Sequence, residues 1–141
     1  MRDVYRLMMV VLLSVTVQMG CQDVTVGYLR TENAKYVPDT MLVKSVLDPA
    51  EDAQQIKFET PWQSTSINGV QGTFPIWYEI RSIQCDNGHP EAASQIQMIK
   101  RGVVMLPWNH TVPPGRYVIN IRVSNEGYTY DLDSVFTVVV K

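Results

Sequence analysis

The clearest pattern in the chain lies near its end. In Arg116-Tyr117-Val118-Ile119-Asn120-Ile121-Arg122-Val123-Ser124, the residues Tyr117, Ile119, Ile121 and Val123 fall on one face, and Arg116, Asn120 and Arg122 fall on the other. Alternation with period two marks a strand with one face on a core and one in water. Residues 134–140, rich in Val, Phe and Thr, suit a pleated surface and predict a closing strand after the hairpin Asn125-Glu126-Gly127-Tyr128. The longest strand candidate is 74–84, with faces Phe74/Ile76/Tyr78/Ile80/Ser82 and Trp77/Glu79/Arg81/Ile83. Pro75 near its start argues for a sheet edge.

Shorter extended runs are expected at 41–47, 54–59, 95–100 and 103–106, with Gly102 at the turn between the last two. Residues 24–30 read as a tether ending in a short edge strand. Asp48-Pro49-Ala50-Glu51-Asp52-Ala53 is an acidic turn in which Asp can cap, and Pro open, a single helical turn. Cys85-Asp86-Asn87-Gly88-His89-Pro90 carries the Asn-Gly hairpin signal, so the 74–84 strand is expected to reverse there. Residues 91–94 suggest one brief helical turn. From Thr60-Pro61-Trp62 to Thr73 the chain reads as a polar loop. Gly69 and Gly72 in it call for positive φ or a close chain approach. No Lys follows them and no helix opens, so they are not a phosphate loop. About seven strands at near-regular spacing, with no long helical pattern and no internal repeat, predict an all-β chain folded as one antiparallel β-sandwich.

Residues 1–20 change the picture at the other end. Arg2 and Arg6 give a positive start, diluted by Asp3, and 7–17 is an apolar run broken only by Ser14 and Thr16. About eleven residues is too short for a helix to cross a bilayer of roughly 30 Å, and suits a secretory signal peptide. The expected organisation is therefore a leader over 1–20, a short tether or edge strand over 21–33, and one domain over 34–141. Val17-Gln18-Met19-Gly20-Cys21 resembles a bacterial lipobox. Gly20 and Cys21 match that pattern, whereas Gln18 and Met19 depart from the usual Leu and small residue. The resemblance implies that Cys21 carries lipid and anchors the chain to a membrane, leaving Cys85 alone. The other fate open to the two cysteines is a disulfide in an oxidising compartment.

Composition narrows the function classes. Hydrophobic residues make up 45% and charged residues 18%, enough apolar content for a packed core and against global disorder. A net charge of −2, with no basic cluster larger than Lys100-Arg101, gives no reason to expect nucleic acid or acidic lipid headgroups as partners. His89 and His110 stand in separate loops without zinc spacing, and no Gly-x-Ser-x-Gly elbow is present. Asp131-Leu132-Asp133 and the 48–52 turn fall short of the six to eight oxygens that calcium takes. No catalytic residue, metal or cofactor is expected.

The aromatic residues are the better binding candidates. Trp62, Trp77 and Trp108 lie at loops or opposite the presumed core, and an indole can stack on the apolar face of a sugar ring. Gln63, Asn68, Gln71 and Asn109 are near enough in sequence to reach hydroxyls, with Tyr128 and Tyr130 at a rim. The competing reading has the same Trp residues filling the core or stapling loops to a sheet.

Gln95-Ile96-Gln97-Met98-Ile99-Lys100-Arg101-Gly102-Val103-Val104-Met105-Leu106, then Pro114-Gly115-Arg116-Tyr117 and Val123-Ser124-Asn125, looks like the second half of an immunoglobulin-like or cadherin-like repeat. With the leader, and with Pro61-Trp62 followed by Asn68-Gly69-Val70-Gln71-Gly72-Thr73, the chain is similar to small Ig-like surface lipoproteins of Bacteroidetes, many of them in glycan-utilisation systems. That resemblance implies a non-enzymatic protein, lipid-anchored at the outer membrane and exposed on the cell surface. Two roles follow from it. One is an interaction or spacer module that docks a partner protein of the envelope. The other is a polysaccharide-binding lipoprotein, and Trp62, Asn68, Gln71, Trp108, Asn109 and Tyr128 are the candidate contacts for either.

Overall fold

The computed structural model describes residues 1–16 and 27–141. The segment expected to be a leader forms helix α1 (Arg2–Thr16), and residues 1–12 are all exposed. No described helix is long and apolar enough to cross a membrane. Cys21, the sequence around it that resembles a lipobox and the first part of the expected tether lie outside the described residues.

The remaining described residues are mostly β, arranged in several sheets with no barrel. Their strands are β1 (Leu29–Arg30), β2 (Thr40–Val43), β3 (Trp62–Gln63), β4 (Gln71–Gly72), β5 (Trp77–Cys85), β6 (Gln97–Ile99), β7 (Val103–Leu106), β8 (Gly115–Ser124) and β9 (Thr129–Val140). One sheet has the order β2-β9-β8-β5, a second β3-β7-β6, and β1-β4 makes a two-stranded ribbon. All pairings are antiparallel except β2 with β9, which run parallel from Thr40↔Thr137 to Val43↔Val140.

The apolar face that period two assigns to β8 is realised in full. Tyr117, Ile119, Ile121 and Val123 are each 0% exposed. Phe136, Val138 and Val140 of β9 join them, and Val104 and Leu106 of β7 come from the second sheet, with Ile67, Ile96 and Val112 closing the core. Fully burying an aliphatic or aromatic side chain is worth about 1.5–3 kcal/mol, so this one cluster supplies most of the drive to bring the two sheets together. Tyr36 reaches in from the chain before β2, its ring 4.7 Å from that of Phe136.

Two bulges alter the expected faces. In β5, Arg81 is an extra residue between the pairs Ile80↔Ile121 and Ser82↔Asn120. The bulge turns Ile83 and Cys85, rather than Ser82, onto the core side with Tyr78 and Ile80. In β9, Asp133, Ser134 and Val135 lie opposite Asn120 alone, and Ser134 adopts φ 52°. Asn120 was expected in water, yet it is buried, because both irregularities close over it. Its Nδ2 donates to Ser82 Oγ (2.9 Å) and its Oδ1 accepts from the Ser134 N–H (2.7 Å).

Other expectations need correction. Residues 54–59 are not extended; α2 (Ala53–Lys57) and the turn that ends it occupy them. The turn before it nucleates the helix: Asp48 Oδ1 accepts from the N–H groups of Ala50 and Glu51, and its carbonyl accepts from the Asp52 N–H. Strand β2 stops at Val43, four residues before the expected end. The stretch read as one polar loop holds the short strands β3 and β4. Gly69 does adopt positive φ (81°) and also has backbone close by, and a Cβ on Gly72 would stand 2.8 Å from the Tyr28 carbonyl, so Gly69 answers both demands and Gly72 the second.

The Asn87-Gly88 turn does not make a hairpin. Asn87 Nδ2 donates instead to the Pro114 carbonyl (3.1 Å) and the Tyr117 hydroxyl (2.6 Å), and Asp86 Oδ1 accepts from the Arg116 N–H (2.9 Å). The chain is thus pinned to the loop before β8, passes through a 3₁₀ turn over Pro90–Gln95, and crosses to β6 in the other sheet. Strand β5 keeps an open edge, the position Pro75 suggested.

Candidate functional site

Strand β5 ends one sheet and β6 ends the other, and the two strands pack beside each other. Along that seam runs a groove of about 860 Å³. Ile76, Trp77 and Tyr78 form one wall, Met98 and Ile99 the other, and Lys100 and Arg101 of the β6–β7 turn stand at the rim. Each flanking strand pairs on one side only among the described residues, leaving backbone N–H and C=O groups unpaired along the seam.

The groove opens at the end of the sheet where Trp77 lies opposite Ser124 and the β8–β9 hairpin turns. Exposed aromatic residues gather there. Trp77 is 51% exposed and Phe74, just before the strand, 84%. Phe74 shares a small hollow with Thr73, Asn125 and Glu126. The ribbon β1-β4 is tied to the same end by Asn125, whose Nδ2 donates to the carbonyls of Tyr28 (2.9 Å) and Thr73 (3.3 Å).

The charges at the rim are available. Lys100 and Arg101 are exposed, and neither forms an ion pair among the described residues. Their turn is held from inside, because the buried Tyr36 hydroxyl donates to the Gly102 carbonyl. Burial, with Tyr78 nearby, lifts that hydroxyl above its ordinary range and keeps it a neutral donor. Other charged groups are already paired on the outer face of the larger sheet, where Arg122 Nε meets Asp131 Oδ1 (2.8 Å) and Arg81 bridges Asp131 and Asp133.

No known family, curated protein or solved structure matches this chain.

The residues singled out from the sequence do not assemble into one site. Trp62 sits in β3, half-buried against the core, and lines a separate hollow of about 370 Å³ with Gln54, Gln55 and the exposed Phe58 of the α2 segment. Its indole Nε1 is buried with no acceptor among the described residues. Trp108 is half-buried in the loop after β7, with Asn109 exposed beside it. Asn68 is exposed and bridges Lys35 through its backbone, while Gln71 is exposed in β4. Tyr128 packs half-buried under the last hairpin. Gln71 and Tyr128 therefore share the aromatic end with Phe74 and Trp77, and Trp62 lies in the other hollow.

His89 is exposed, with Nδ1 3.2 Å from Glu91 Oε1. His110 is buried, with Nε2 3.0 Å from the Lys44 carbonyl and Nδ1 3.1 Å from the Val112 N. That pattern needs a proton on Nε2 and a bare Nδ1. Burial holds its pKa below the ordinary value, the bond to the Lys44 carbonyl opposing. Lys44 also meets Asp52 Oδ2 at 2.8 Å, so the 48–52 turn is tied down by a cation instead of lying open. Among the described residues no three His, Cys, Asp or Glu side chains converge as a metal site.

The groove was missed because its walls come from different sheets. Trp77 did carry a signal, since alternation put it on the face with Glu79 and Arg81, where a large indole has no core to fill.

Proposed function

We propose that this chain is a non-enzymatic, envelope-anchored lipoprotein whose Ig-like sandwich docks a partner protein through the groove between β5 and β6. The observation that carries the reading is the groove itself: an apolar seam between two open sheet edges, with a half-exposed Trp at its mouth. Isolated exposed apolar residues are ordinary, but a contiguous apolar patch with a polar rim marks an interaction surface.

Two features support the Ig-like or cadherin-like identity. A first strand in parallel with the last, sheet orders of four and three, and a crossover from β5 to β6 follow the general plan of Ig sandwiches. Tyr117, at the start of the penultimate strand, donates its hydroxyl to the carbonyl of Pro113 (2.9 Å), which is the geometry of a tyrosine corner. The antibody disulfide is not part of the resemblance, for Ile119 stands two residues after that Tyr.

Anchoring rests on the leader. The side chains of residues 2–12 in α1 are exposed and, among the described residues, none joins the core, which fits a segment made to be recognised and removed. Lipid on Cys21 and display at the outer-membrane surface complete the proposal, on the strength of the lipobox resemblance.

The test is photocrosslinking in intact cells from a benzophenone side chain at position 77, with position 84 on the outer face of β5 as control. One discrete protein adduct from position 77, absent from position 84, is the expected result. Equal or absent crosslinking at both positions would sink the docking role. Polysaccharide binding now has Trp77 and Phe74 as its exposed aromatics, in place of Trp62 and Trp108. Retardation in polysaccharide gels, lost in Trp77→Ala, would put that reading ahead.

A further inference from the structure

We infer that the occupant of the groove is an extended, acidic segment of the partner, added as a strand to the open edge of β5; the inference rests on the docking reading above. Strand addition satisfies the two needs of the seam together. Backbone groups along β5 gain partners, and every second side chain of the incoming segment turns into the apolar groove. The regular stretch of the edge is short. It runs from Trp77 to Ile80, because the bulge at Arg81 bends the strand beyond it. The core of the recognised segment is accordingly about four to five residues long.

Charge selects among extended segments. The rim carries Lys100 and Arg101, both exposed and outside every ion pair of the described residues, on a chain whose net charge is −2. The rim is a local reversal of the overall sign, and it complements Asp or Glu at the solvent-facing positions of an added strand. Arg101 also holds a backbone conformation (φ 62°, ψ 26°) that L-residues other than Asn and Asp seldom adopt. Gly or Asn would fit that turn with less strain, and Arg brings a charge to the mouth of the groove that neither could.

The experiment is selection of a randomised decapeptide display library on the full chain in detergent micelles. Enriched peptides are expected to alternate apolar with other residues, to carry Asp or Glu, and to lack central Pro. N-methylation along a selected peptide should abolish binding at alternate positions and be tolerated between them, the signature of a strand paired on one side. Lys100→Glu combined with Arg101→Glu should weaken binding roughly tenfold at low salt and less at high salt. Trp77→Ser should weaken it roughly tenfold, as for a large aromatic contact at the mouth of the groove. Arg101→Gly relaxes the backbone while deleting the charge, so it should lose affinity without losing thermal stability.

Basic or helix-periodic peptides, no enrichment at all, or self-association of the chain through this edge at micromolar concentration would each overturn strand addition. If selected peptides lose binding in Trp77→Ser but show no alternation under N-methylation, docking stands and strand addition falls. If position 77 also gives no crosslink in cells, the docking reading falls with it.

Discussion

Replacing Tyr117 by Phe removes a single oxygen from a side chain that is 0% exposed and leaves its ring to fill the same space. That oxygen donates to the Pro113 carbonyl at 2.9 Å and accepts from Asn87 Nδ2 at 2.6 Å. Each such bond contributes about 1 kcal/mol net when both partners would otherwise be solvated. The Asn87 amide keeps the Pro114 carbonyl at 3.1 Å, so it is weakened but not orphaned. The expected loss for Tyr117→Phe is therefore about 1.5–2.5 kcal/mol, or a fall in Tm of about 6–10 °C for a domain of this size. Urea unfolding of residues 22–141, followed by circular dichroism, should show a lower midpoint at unchanged slope. Asn87→Ala alone should also destabilise, and the double variant should lose less than the sum, by about 0.5–1 kcal/mol. A loss below about 0.3 kcal/mol, or strict additivity, would refute the argument that this hydroxyl holds the loop before β8 to the turn after β5.

Three more outcomes can be checked. His110 is kept neutral in the fold, with its pKa below the ordinary 6.5, so its contribution to stability is complete above pH 6.5. It is lost as pH falls from there through the native value; a urea midpoint that does not decline over that window, or that declines equally in His110→Gln, would contradict the assignment. Gly69→Ala and Gly88→Ala share positive φ (81° and 74°), but only the first would set a Cβ against backbone, 2.0 Å from the Asn33 carbonyl oxygen. Gly88→Ala should cost about 1 kcal/mol from conformation alone, and Gly69→Ala distinctly more, read as the difference between their melting temperatures. Finally, the protein isolated from membranes and denatured without reductant should show one alkylatable thiol, Cys85, if Cys21 carries lipid, and none until reduction if the two are bonded.

What could be seen in the sequence depended on how local its cause was. The faces of Tyr117 to Val123 follow from pleating alone, and period two revealed them. Asn120 obeys the same pleat, but its burial is decided by bulges in β5 and β9 that no residue near it announces. Asn87-Gly88 signalled a turn correctly, and Gly88 has φ 74°. Its fate as a crossover instead of a hairpin was settled by Tyr117 and Pro114, remote in sequence. The extended reading of 54–59 gave way to α2, which follows directly from the turn that Asp48 holds. The site divides the same way. Trp77 on a polar face was legible, while the groove needed Met98 and Ile99 from another sheet. The partial burial of Trp62 follows from strand pairing with β7, and α2, which was not foreseen, helps to form its hollow.

The parallel pairing of β2 with β9 has a mechanical consequence. Beyond the register from Thr40 to Val43, the clasp is extended by Thr137 N to Asp39 O (2.9 Å), Lys141 N to Val43 O (2.8 Å) and Ser45 N to Lys141 O (2.7 Å). A pull between the N-terminal side of β2 and the C-terminal end of β9 drags the two strands past each other along their length. Their bonds then share the load together, whereas a hairpin pulled from its open end parts one bond at a time. Tension arriving along the chain from before β1 would first meet the β1-β4 ribbon, with only two residue pairs, and then the Lys35–Asn68 bridge, before it reached this clasp. Such a pull would thus meet a yielding fringe first and a shear-loaded lock behind it.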